Sequence, residues 1–158
     1  MSGTTPNQPA ADGTAVQARG IRKQFAANEA LRGFNLEIER GEVVALLGPN
    51  GVGKTTAIHI LLGLRRADAG SALVLGREPG ALEARRRIGA TLQEMACPHL
   101  LRVSEIVAFA QAHYPEPSPS DGLLEEFRLA GLARRQVGGL SGGERRRLAL
   151  ALAFAGSP

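Results

Sequence analysis

Gly48 to Thr55 reads GPNGVGKT, a glycine-rich segment closed by a lysine and a hydroxyl, with a further threonine at Thr56. Those residue types at that spacing suit the holding of a phosphate chain. Gly51 and Gly53 let the backbone turn so that successive N–H groups converge on one anion. A helix that begins there adds the partial positive charge of its N-terminus. Lys54 can reach the β- and γ-phosphates of a nucleotide, and the Thr55 hydroxyl is placed to ligate Mg²⁺. Gly-Pro-Asn-Gly is a good turn in its own right. A bare turn, however, has no use for a lysine and two threonines at the mouth of a helix. The segment fits G-x-x-x-x-G-K-[ST] in full, a pattern shared by kinases, GTPases and motor ATPases.

The elements around it must hold such a loop in place. Val43 to Leu47, VVALL, is a continuous apolar run suited to a strand buried on both faces, and AIHILLGL after the loop has a helical pattern. Upstream, VQARGIRKQF reads as an edge strand and FNLEIE as a half-buried one, with ERGE (Glu39 to Glu42) as a turn. Downstream, RADAGSALVLGREP reads as a turn and a short strand, ALEARRR as a helix, and IGATLQ as a strand ending at Gln93. Two amphipathic helices follow between Val103 and Gly131, parted by the proline-rich loop Tyr114 to Gly122. Residues 1–15, small, polar and proline-punctuated, are expected to be a disordered tail.

The bulk numbers fit one domain. The chain has 158 residues, 44% of them hydrophobic and 22% charged, enough to bury a core. No apolar run approaches the roughly 18 residues that span a bilayer, and no secretory leader is visible, so a cytoplasmic location is expected. Cys97 is the only cysteine, which excludes an internal disulfide and a Cys-based zinc cluster. The net charge of +4 comes from short arginine runs among acidic neighbours, and only 4% of residues are aromatic. A solvated basic face is the better account of that charge, and no nucleic-acid partner is expected.

Near the other end stands Leu140-Ser141-Gly142-Gly143-Glu144. Ser141 with Glu144 three residues on is a capping box, the ordinary start of a helix. The box does not explain Gly142 and Gly143, since glycine in a helix costs about 0.5–1 kcal/mol against alanine. A pair of them points to a close approach by another backbone or a ligand.

LSGGE closely resembles the LSGGQ signature of the ATP-binding cassette (ABC) family, and with the phosphate loop upstream the resemblance runs from about Val16 onward. In detail it is similar to the nucleotide-binding subunit of bacterial drug exporters. It implies an α/β P-loop NTPase fold: an ABC-type nucleotide-binding domain over residues 16–158, with an N-terminal antiparallel β-subdomain and a small helical subdomain at about 94–141. It implies ATP and Mg²⁺ as cofactors. Residues Gly48, Pro49, Asn50, Gly51, Val52, Gly53, Lys54, Thr55 and Thr56 then bind the nucleotide. Phe25 matches the aromatic that stacks on adenine, Gln93 matches the Q-loop glutamine that contacts Mg²⁺ beside Thr55, and Leu140 to Glu144 meet the ATP of a paired subunit. Transmembrane subunits and a homodimer or paired ABC subunit are the implied partners, on the cytoplasmic face of the membrane. Phe25 as a core residue and Gln93 as a surface amide are the plain alternatives.

The family also has a Walker B aspartate, a catalytic glutamate and a switch histidine beyond the signature helix. None matches here; His59, His99 and His113 all precede the signature. The expectation is therefore a chain cut before Walker B, with the C-terminal part of the core missing, that binds ATP without hydrolysing it and has no identifiable catalytic residue. A soluble ABC ATPase acting on ribosomes or DNA, a P-loop kinase outside the family and a non-functional fragment are the competing readings.

Overall fold

β1 (Thr14–Phe25) and β2 (Asn28–Glu39) form an antiparallel hairpin, and β3 (Ala69–Val74) pairs antiparallel with the other side of β1. The sheet order is therefore β2-β1-β3. The computed structural model describes residues 13–91 and 97–158. β1 is thus the central strand among them, where the sequence suggested an edge. Pairing with β3, some fifty residues away, is what moves it inward, and nothing local to β1 encodes that. Of the expected tail at residues 1–15, Thr14 and Ala15 belong to β1, while 1–12 lie outside the described residues.

The chain divides into two compact units, the first ending at Arg85 and the second running from Arg86 to Pro158. In the first, α1 (Lys54–Leu61) lays Ala57 and Ile60 on the sheet, where they bury with Ala18, Ile21 and Leu31. Residues three apart share one face of a helix, so this single apolar contact fixes the direction in which α1 points. A one-turn helix, α2 (Leu82–Arg85), closes the unit and buries Ala84.

Val43 to Leu47 departs from expectation. It forms no strand, and Val43 is 96% and Leu47 88% exposed; only Leu46 packs, at the margin of the core. A strand buried on both faces needs a neighbour on each side, and among the described residues none pairs with this run. Residues 88–91 of the expected IGATLQ strand are likewise outside any strand, while Leu92 and Gln93 lie outside the described residues.

The second unit is helical. α3 (Val103–Gln111), α4 (Ser120–Glu126) and α5 (Gly142–Ala153) share a core that includes Val103, Val107, Leu129, Val137, Leu148 and Ala151. The proline-rich loop is shorter than expected because α4 already starts at Ser120. Gln111 is buried and ties that loop down: its Nε2 donates to the Ser118 carbonyl at 2.5 Å and its Oε1 accepts from the Ser120 hydroxyl at 2.7 Å. Cys97 packs against this core, and burial pushes its thiol above the usual range.

Candidate nucleotide site

The glycine loop takes the backbone conformations its sequence promises. Gly48, Gly51 and Gly53 all have positive φ, at 153°, 82° and 94°. Gly53 is the residue from which α1 starts, with no side-chain cap. A Cβ there would collide with the carbonyl of Ala30 and the side chain of Leu31 on β2. The loop is thus pressed against β2 at a point where only glycine fits, and that contact seats the start of α1 beside the hairpin.

Lys54 occupies the first position of α1, and its ammonium donates to the carbonyls of Gly48 at 2.7 Å and Pro49 at 2.6 Å. The lysine ties the start of the loop to its end. No acidic residue stands in the first turn of α1, so the uncapped N–H groups there keep their positive field. Thr55 is exposed in that same turn. Glycines held at positive φ, an uncapped helix start, a lysine and an exposed hydroxyl together fit a nucleoside triphosphate with its magnesium. Among the described residues no group of three His, Cys, Asp or Glu could hold a metal ion.

Phe25 lies in the same unit, at the end of β1, where it pairs with Asn28 across the hairpin. It is 36% exposed and belongs to neither apolar core, so the reading of Phe25 as a core residue fails. Ala30, which touches Gly53, is two residues past Asn28. The hairpin therefore carries an open aromatic ring close to the loop. The structure adds residues the sequence did not single out. The Arg65 guanidinium lies over the Phe25 ring, 4.8 Å from its centroid, and the Lys23 ammonium lies 5.8 Å from it. The only sequence signal was a basic pair, Arg65 and Arg66, just after α1.

Leu140 to Glu144 fall in the second unit. Leu140 is buried in the helical core and anchors the segment. Ser141 caps α5: its hydroxyl accepts from the Glu144 N–H at 3.2 Å, and Glu144 Oε2 accepts from the Ser141 N–H at 2.6 Å. Glu144 Oε1 also lies 3.8 Å from Arg135. Accepting the Ser141 N–H, with that arginine nearby, holds the Glu144 carboxyl below the usual glutamate range. Gly142 and Gly143 have nothing within 4 Å of where a Cβ would sit. Among the described residues, no side chain or distant backbone crowds them. Gln93 lies outside the described residues. His59, His99 and His113 are dispersed over α1, a loop and the end of α3.

The sequence profile of the ABC transporter family matches residues 31–158, a span that holds both the glycine loop and the α5 start. The chain belongs to the ABC transporter family. It is 41% identical over 153 residues to the sulfate/thiosulfate import ATP-binding protein CysA of Bordetella pertussis, covering 90% of this chain and 43% of that protein. The CysA of Bacillus cereus is 37% identical over the same length and shares. The chain thus spans less than half the length of these curated relatives. Among solved structures, one described as the ATP-binding subunit of an ABC transporter superposes with a TM-score of 0.80 at 25% identity, over 92% of this chain and 63% of that one. An ATP-binding cassette in its ADP conformation gives 0.77 at 25% identity, over 92% and 66%. The ABC nucleotide-binding fold is therefore the fold of this chain.

Proposed function

We propose that this chain is the ATP-binding part of an ABC transporter and that it binds ATP·Mg²⁺ through Gly48 to Thr56. The observation that carries this reading is the loop itself, three glycines at positive φ running into an uncapped helix with Lys54 folded across them. In this reading Phe25 receives the adenine, Thr55 and Gln93 meet the magnesium, and Ser141 to Glu144 face the nucleotide of a paired subunit. The open space above Gly142 and Gly143 supports the last assignment. Transmembrane subunits hold the pair on the cytoplasmic face of the membrane. None of the described helices is long and apolar enough to cross a bilayer, which fits a chain that works through such partners.

The relatives are named as import proteins, whereas the sequence resemblance pointed to drug export. Their names favour import as the direction of transport. The proposed division places residues 16–158 in the nucleotide-binding domain and the helical subdomain at about 94–141.

Calorimetry with ATP·Mg²⁺ tests the reading. Lys54→Ala should weaken binding by about 1.5–3 kcal/mol, the range for hydrogen bonds to charged groups. Equal affinity in the two proteins would sink it.

A further inference from the structure

The Arg65 guanidinium over Phe25 has no carboxylate partner among the described ion pairs, unlike Arg22 and Arg32, which both meet Glu29. Its backbone, in contrast, is firmly placed. The Arg65 N–H donates to the His59 carbonyl at the end of α1, at 3.2 Å. Three residues on, Asp68 is fastened to β1 at three points. Its carboxylate accepts from the Lys23 ammonium at 2.5 Å and from the Gln24 N–H at 2.8 Å, and its own N–H donates to the Arg22 carbonyl at 2.9 Å. The segment carrying Arg65 is thereby strung between the end of α1 and the residues just before Phe25.

We propose that Arg65 is a positioning residue of the nucleotide-base site, acting through Phe25. A guanidinium plane on an aromatic face attracts the ring quadrupole and holds the ring in one orientation. Phe25 is 36% exposed even with Arg65 over its ring, which leaves room for a base beside it. Arg65 presets that ring, and α1 joins it to the loop that takes the phosphates. This inference rests on the ATP-binding reading above, and it adds a residue that neither the glycine motif nor the signature contains.

Calorimetry with two ligands, ATP·Mg²⁺ and Mg²⁺-tripolyphosphate, separates base from phosphate. Arg65 is exposed, so its variants should fold, and a thermal melt checks this. Arg65→Ala should weaken ATP by about two- to fivefold, as expected from an exposed cation–π contact, and leave tripolyphosphate unchanged. Arg65→Lys, which keeps the charge but not the plane, should fall between. In a Phe25→Leu background, Arg65→Ala should add no further loss. Unchanged or tighter ATP binding in Arg65→Ala overturns the proposal, the latter because Arg65 would then occupy the place of the base. An equal loss for tripolyphosphate overturns it too, since Arg65 would then act on the phosphates by charge. So does a further loss in the Phe25→Leu background. Wild-type protein that binds neither ligand defeats the nucleotide reading itself, an outcome distinct from a wild type that binds both while Arg65→Ala matches it.

Discussion

α1 begins on Gly53, in the left-handed conformation, uncapped, with the Ala30 carbonyl where a side chain would be. α5 begins on Ser141, with a complete capping box, and the two glycines that follow have no positive φ and empty surroundings. In the sequence the two starts look alike, each a glycine-rich stretch before a helix. In the first, the fold of the chain consumes the glycine. In the second, nothing among the described residues fills the place of a side chain, so their contacts do not require glycine there. A capped helix start also spends some of its N–H groups on its own side chains, whereas an uncapped one keeps them for a ligand.

That contrast can be broken by substitution. Gly53→Ala should give the largest effect. An alanine in the left-handed region costs about 1–2 kcal/mol, and forcing a methyl into a filled space costs about 1–3 kcal/mol more. The denaturation midpoint should fall accordingly, and ATP affinity with it. A midpoint equal to wild type would show that the loop is not pressed against Ala30. Gly143→Ala should move stability the other way, by up to about 0.5–1 kcal/mol in favour of the variant, because alanine is the better helix former. If Gly143 serves a paired subunit, the same variant should weaken ATP-dependent pairing in light scattering while monomer binding persists. Loss of monomer stability would remove the distinction between the two helix starts.

The smallest effect is the pH dependence of the α5 cap. The Glu144 carboxyl is held below its ordinary value of 4.5, chiefly by accepting the Ser141 N–H. A depressed carboxyl contributes stability that is fully present above its unfolded value. That contribution fades as pH falls through the lower folded value. Denaturant midpoints of wild type and Glu144→Gln should therefore differ at pH 7 and converge toward pH 3. A difference that stays constant over that range would mean that the ionised carboxylate does not hold the cap.

What could be read from the residues alone follows the range of the forces involved. The capping box needs only Ser141 and Glu144, four positions of one chain segment, and it is present as read. The helix after the loop was legible for the same reason, since periodicity and glycine spacing are local, whereas the β-rich and helical parts were implied by the family resemblance. Placement within the sheet was not. Whether β1 is an edge or a centre depends on β3, and whether VVALL is buried depends on strands that must come to it. Apolar composition records a tendency to be covered and does not name the cover. Arg65 over Phe25 was hidden for a related reason, because forty residues separate the pair and they meet only through tertiary contacts, the packing of α1 on the sheet and the Asp68 attachment to β1 among them.

The uncovered run Val43 to Leu47 also has a consequence for the handling of the protein. Its exposed aliphatic side chains, in a run that pairs with no strand among the described residues, offer a template for another chain to join, edge to edge. Charged residues and prolines that would guard such a stretch flank it at Glu42 and Pro49 but do not interrupt it. For the 158-residue polypeptide, Val43 and Leu47 are therefore where a solubilising substitution belongs.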